Sequence, residues 1–228
     1  MADKISKGDF IKVDYTGSEK EGGRVFDTTD EALAKKENIY NENSKFGTIT
    51  LVVGAGHVLP GLDKELTSLS VGDKKKITIS KEDAFGSKDS DLIKLVPRSV
   101  FKRSRMNPVP GLPVEVGGRQ GIVKTVSGGR INVDFNHPLA GKELEYEIEV
   151  KGKVTDQKEQ VLSFFYLHLP KLDLKDIDIK ISSGNAEIRT PNDENTRRYI
   201  SMVKPIISRD VLNYISEIKK VTFIDVFE

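Results

Sequence analysis

FIKVDYTGSEKEGGRVFDTT, residues 10–29, is where the fold declares itself. Phe10, Ile11, Val13 and Tyr15 set apolar side chains against polar ones at a spacing close to two, which predicts a half-buried β-strand. Thr16 and Gly17 follow as a strand-to-turn signal, and a second extended piece is centred on Val25 and Phe26. A sheet edged by turns is therefore the starting element.

Beyond it, TTDEALAKKENIY (28–40) carries acids early and lysines late, the charge order that suits a short helix or ordered loop. The run from Thr48 to Ser80 predicts a strand ending at Gly54, a turn, a short helix near Leu62 to Leu69, and a strand from Lys76 to Ser80. Residues 88–134 differ in texture. An apolar run at Leu92, Ile93, Leu95 and Val96 is followed by Pro97, Pro108, Pro110 and Pro113. The segments LPVEVGG, GIVKTVSGG and RINVDF then predict a small antiparallel sheet. LEYEIEVKGKV (144–154) is a strand with outward Glu and Lys that pairs with the N-terminal strands, so the first domain brackets an insert. After it come an amphipathic helix (QKEQVLSFFYLHLP), a hairpin (DIDIKISSGNAEIRT), a helix interrupted at Pro205, and a last strand (KKVTFIDVF), an α-β-β-α-β unit. The fold class is α+β. The expected domains are 1–87 with 135–152, an inserted domain at 88–134, and a C-terminal domain at 153–228.

Composition narrows the function. Lys and Arg number 36 against 35 Asp and Glu, a net charge of +1, so no global field draws the chain to nucleic acid or anionic lipid. With no Cys, disulfide and thiolate chemistry are excluded. No segment approaches the ~20 apolar residues of a membrane span, and the N-terminal residues lack a signal-like apolar run, so a cytoplasmic address is expected. His57, His137 and His168 are scattered, so no metal cluster is predicted. The glycines of VVGAGH lack the third glycine and the strand-helix-strand setting of a nucleotide loop.

Five pieces stand in order: V-D-Y-T-G at 13–17, V-F-D-T-T at 25–29, G-H-V-L-P-G-L-D at 56–63, D-A-F-G at 83–86 and N-H-P-L-A-G-K-E-L at 136–144. Together they resemble the FKBP-type peptidyl-prolyl isomerases. The last piece, placed after an insert, resembles the SlyD-like branch, and the C-terminal unit resembles the extra domain of its long archaeal members. The resemblance implies an antiparallel half-barrel wrapped on a short helix, with a β-rich domain inserted in the flap. It implies a prolyl pocket lined by Tyr15, Phe26, Asp27, Val58, Leu59, Leu62, Phe85, Leu139 and Tyr146, with Ile49 as a further wall and His57 at the rim. Asp27 is expected to accept a hydrogen bond from Tyr15 beside the substrate carbonyl carbon. Leu62 stands where many relatives have Trp and Phe85 where Tyr is usual, which widens the floor and removes a hydroxyl.

The resemblance also implies that the insert binds unfolded chain, through Ile93, Val96, Val100, Phe101 and Met106. By their residue types alone these side chains suit either an exposed groove or the insert's own core. Unfolded or proline-containing polypeptides are the expected partners, with no cofactor, and the C-terminal unit is a possible homodimer surface. The competing reading is a non-catalytic peptide-binding module that keeps the pocket as a docking site.

Overall fold

The computed structural model describes all residues except 1, 2, 43, 45, 104, 171, 173 and 228, and for residue 103 the backbone alone. In chain order the first elements are β1 (Phe10–Glu19), β2 (Val25–Thr28), α1 (Glu31–Lys36), β3 (Ile49–Val52), α2 (Pro60–Leu66) and β4 (Lys74–Ile79). Next come β5 (Ile93–Pro97), α3 (Arg98–Arg103), β6 (Pro113–Val116), β7 (Arg119–Ser127) and β8 (Arg130–Asp134). The chain continues through β9 (Leu144–Lys153), α4 (Gln157–His168), β10 (Asp178–Ser182), β11 (Asn185–Thr190), α5 (Glu194–Tyr214) and β12 (Lys220–Asp225). Met1–Ile79 with Glu145–Glu228 forms one compact unit, and Ser80–Leu144 forms the other.

In the first unit β1 is the hub. β3 pairs antiparallel with its first half, Phe10 opposite Val52, and β2 with its second half, Thr16 opposite Thr28 and Gly17 opposite Asp27. β9 lies on its other side, between β1 and β4. The strand does not turn at Gly17, as the sequence suggested, but runs on to Glu19. The residue is small for another reason: a Cβ there would stand 2.8 Å from Phe26 Cζ and 2.9 Å from Tyr146 Cε1. Two aromatic rings lie where a side chain would be.

The α-β-β-α-β order expected after residue 156 is present. β10 and β11 form a hairpin closed by Ser183 and Gly184, at φ 48° and 74°, so both turn residues are left-handed. β12 then pairs parallel with β11 after the α5 crossover. Asp156 and Asp193 cap α4 and α5 by accepting from the amides of Glu159 and Thr196. α5 is not interrupted at Pro205 but runs from Glu194 to Tyr214. An interior proline costs about 3 kcal/mol, whereas Ile200, Ile207 and Val211 are each fully buried on either side of it. Burying such side chains contributes ~1.5–3 kcal/mol apiece, enough to carry the helix through.

These C-terminal elements do not keep a core to themselves. Phe10 of β1 and Val52 of β3 pack in one cluster with Val161, Phe164 and Phe165 of α4 and with Ile188, Ile200 and Ile207. Phe10 meets Phe164 edge-on at 5.5 Å between ring centres. α4 is also less one-sided than its sequence predicted. Val161, Phe164 and Phe165 are buried, but Leu162, Tyr166 and Leu167 are apolar too and lie half-buried on another stripe.

The second unit is built on the sheet β5-β8-β7-β6, antiparallel throughout. Val96, Phe101, Val114, Val123, Ile131 and Val133 form its core, with Val100 and Met106 packed against them. Four of the five residues expected to bind clients therefore serve packing. A four-stranded sheet this small fills one face with whatever large side chains its flanking loop supplies. The opposite face, by strand alternation, carries Ile93, Leu95 and Ile122, of which Leu95 is 61% exposed. The two chain segments entering and leaving the sheet are clipped together at its end. Asp134, 5% exposed, accepts from Lys88 Nζ at 2.8 Å and from the backbone and side-chain nitrogens of Asn136 at 3.0 and 2.8 Å. Asn136 in turn brackets Asp89, accepting from its amide and donating to its carbonyl.

Candidate functional site

The β1–β2 ladder brings Asp27 to Tyr15. Thr29 and Thr28 do the fixing: Tyr15 N donates to Thr29 Oγ1 at 2.9 Å, and both threonine hydroxyls donate back to the Tyr15 carbonyl at 3.2 Å. Thr28 Oγ1 also accepts from Asp30 N and meets Thr16 Oγ1 at 2.8 Å. Both threonines of V-F-D-T-T are buried, and their hydroxyls lock the end of β2 against β1. The consequence is a fixed Asp27, whose Oδ2 accepts from the Tyr15 hydroxyl at 2.8 Å.

Aromatic rings surround this pair. Tyr146 of β9 lies 6.0 Å from Tyr15 and 5.8 Å from Phe26, the latter edge-on, over the bare backbone of Gly17. Burial, and then the adjacent Asp27, push the Tyr15 hydroxyl far above its ordinary value. Burial likewise raises Tyr146, with Asp27 adding to it, so both phenols stay protonated. For Asp27 burial raises the carboxyl, while the hydrogen bonds from Tyr15 and the Thr28 backbone pull it part of the way back. The residue's outer surface remains open to solvent, so this is a half-desolvated carboxylate at the lip of an apolar wall.

Tyr15 and Asp27 line a cavity of about 620 Å³, together with Lys12 of β1, Ile49 and Thr50 of β3, and Glu159, Leu162, Ser163, Tyr166 and Leu167 of α4. That size falls in the range of ordinary ligand sites, ~300–1,000 Å³. Ile49, the least secure wall in the sequence, is in it. The α4 residues are not ones that the motifs point to, because nothing local in QKEQVLSFFYLHLP says where the helix docks.

The other expected residues are placed as follows. Leu62 is 2% exposed on α2, and Val58 and Leu59 are half-buried at that helix's N-terminus. Asp63 braces this entry by accepting from Gly54 N at 2.7 Å and Gly56 N at 3.2 Å. His57 is not a free rim group: its ring stands edge-on to Phe164 and Tyr214, its Nδ1 faces Val52 N at 3.4 Å, and burial lowers its pKa. In the second unit Phe85 stacks on His137, ring centres 4.0 Å apart, and Leu139 is 8% exposed. His137 orders its turn by accepting from Leu139 N and, through its carbonyl, from Ala140 N. Among the described residues no group of three or more His, Asp or Glu is placed to hold a metal ion, and no helix is long and apolar enough to cross a membrane.

Two family models match the chain, "FKBP26, IF domain" over residues 94–139 and "FKBP26_C-terminal" over residues 157–228. A short-type peptidyl-prolyl cis-trans isomerase of Methanocaldococcus jannaschii is 34% identical over 151 residues, covering 66% of this chain and 95% of that protein. The FKBP-type isomerase SlyD of Treponema pallidum is 30% identical over 173 residues, 71% of this chain and 86% of that protein. A probable FKBP-type 16 kDa isomerase of Pseudomonas fluorescens is 36% identical over 106 residues, 44% of this chain and 69% of its own length. With the Tyr15–Asp27 pair set beside Phe26 and Tyr146, and relatives at 34% and 30% identity matched over 95% and 86% of their length, the chain belongs to the FKBP-type peptidyl-prolyl cis-trans isomerases.

Proposed function

We propose that this chain isomerises X–Pro bonds in unfolded or partly folded polypeptides at the cavity lined by Tyr15 and Asp27. The observation that carries this reading is the 2.8 Å Tyr15–Asp27 hydrogen bond held among Phe26 and Tyr146. Amide rotation faces a barrier of ~18–20 kcal/mol because resonance is lost at the twisted state. Water stabilises the planar, charge-separated amide better than the twisted one, so an apolar aromatic wall removes ground-state stabilisation selectively. A carboxylate facing the carbonyl carbon favours the twisted form, whose carbon has lost electron donation from nitrogen. No nucleophile is required. Each ~1.4 kcal/mol taken off the barrier is tenfold in rate. The test is cis-to-trans relaxation of a proline peptide: acceleration by the native chain, cut at least tenfold by Asp27→Ala. No acceleration by the native chain leaves only a docking role for the cavity.

A second activity, client holding, is favoured by the open face of the 80–144 unit, where Leu95 and Ile122 expose apolar surface across the sheet. Leu95→Ser with Ile122→Ser then weakens suppression of aggregation while peptide isomerisation persists; unchanged suppression refutes it. Self-association has a natural face on α5, where Tyr199 and Met202 are 52% and 73% exposed. Light scattering on the full chain and on Met202→Glu tests for a homodimer.

A further inference from the structure

We infer that α4 supplies a subsite for the polypeptide substrate, taking an apolar side chain next to the X–Pro bond; this rests on the reading of Tyr15 and Asp27 as the isomerase site. Glu159, Leu162, Ser163, Tyr166, Leu167 and Pro170 all line the same cavity as that pair. Their spacing of three and four residues is one continuous stripe along the helix and just past its end. The neighbouring stripe, Val161, Phe164 and Phe165, fills the core shared with Phe10 and Val52. A helix with one face in a core normally turns a polar face outward. Here Leu162 and Tyr166, half-buried at the edge of that core, and Leu167, half-buried and outside it, line the cavity together with Ile49. The Lys12–Glu159 ion pair at 2.6 Å joins the helix to β1 beside this space, and the packing of Phe164 on Phe10 holds the helix there. A peptide whose prolyl bond lies against Asp27 has its flanking residue in the remaining volume, where Ile49, Leu162, Leu167 and Pro170 supply apolar surface among polar neighbours such as Thr50 and Ser163. The occupant is therefore an extended, proline-containing chain with an apolar neighbour of proline.

The experiment uses the full-length protein and blocked tetrapeptides in which the residue before proline, or the one after it, is Leu or Ala. On one of the two sides kcat/KM favours Leu. In Leu162→Ala and Leu167→Ala that preference for Leu over Ala falls by roughly tenfold. Leu167 is not among the side chains packed on the core, so Leu167→Ala decides the matter if Leu162→Ala unfolds. Asp27→Ala lowers both peptides alike and leaves the preference. An unchanged preference in folded Leu167→Ala overturns the subsite while leaving the isomerase reading intact. Full activity in Asp27→Ala overturns the isomerase reading, and the subsite with it. A shift in oligomeric state by light scattering, with the preference unchanged, assigns the stripe to a second copy of the chain and also overturns the proposal.

Discussion

Asp134→Asn should destabilise the 80–144 unit by about 2 kcal/mol at neutral pH and leave the other unit untouched. Burial alone raises the Asp134 carboxyl, but the hydrogen bonds from Lys88 and Asn136 more than reverse this and hold it at about 2 against an ordinary 3.8. That difference corresponds to ~2.5 kcal/mol of folding stability, trimmed to about 2 because Lys88 is 40% exposed and its charge is screened. The sign follows from the depressed value. The contribution is complete above the unfolded carboxyl's titration, near pH 4 and upward, and is lost as pH falls toward 2. Asparagine abolishes it at every pH, so native and variant proteins converge in acid. All six tyrosines lie outside residues 80–144 and there is no Trp, so tyrosine fluorescence reports the other unit alone and serves as an internal control. The stability of residues 80–144 is read instead from urea titration of their amide NMR signals. With an m-value near ~1 kcal/mol/M for so small a unit, the midpoint drops by ~2 M at pH 7. A drop under ~0.5 M, or one equally large at pH 2, refutes the assignment of the clip as a charge-dependent lock.

Tyr15→Phe removes the hydrogen bond that helps keep Asp27 ionised, so its raised pKa rises further and the acid limb of kcat/KM moves to higher pH; a limb that stays in place shows that Asp27 does not act as the carboxylate. Gly17→Ala drives a methyl group to within 3.0 Å of Phe26 and Tyr146, costing ~1–3 kcal/mol of stability and roughly tenfold in kcat/KM; a crystal structure with both rings unmoved and activity intact disproves the packing argument. Phe164→Ala costs ~3–5 kcal/mol, and amide exchange speeds up in β1 and β3 as well as in α4 and α5 because Phe10 and Val52 share that core. Retained protection of Val52 in that variant means the two parts are energetically separate.

Elements with short-range patterns were readable from the sequence. The strands around Val13, Val123 and Ile131, the Ser183-Gly184 hairpin and the order of elements after residue 156 depend on alternation and turn chemistry, which are local. Asp27 and Tyr15 are paired by the resemblance of V-F-D-T-T and V-D-Y-T-G to the family's motifs, since residue types alone leave Asp27 a surface turn aspartate. What was missed depends on partners distant in sequence. Gly17 has the look of a turn until Tyr146 is laid over it. Val96 and Phe101 suit a groove as well as a core until β7 and β8 close on them. Pro205 breaks a helix in isolation, and only the burial of Ile200 and Ile207 reverses that. The second stripe of α4 passes for part of an ordinary buried face, since sequence periodicity cannot distinguish a face meeting protein from one meeting a cavity.

That stripe gives the site a history within each molecule's synthesis. Tyr15, Asp27 and Ile49 leave the ribosome early, Tyr146 only after the whole 80–144 unit, and Leu162, Tyr166 and Leu167 later still. A nascent chain that has completed β9 owns Tyr15, Asp27 and Tyr146 but not the α4 residues of the cavity, and its Phe10 and Val52 stand without Phe164. Domains fold as units as they emerge, yet here the early strands wait for a late helix. An isomerase built this way completes the lining of its own cavity only when α4 arrives.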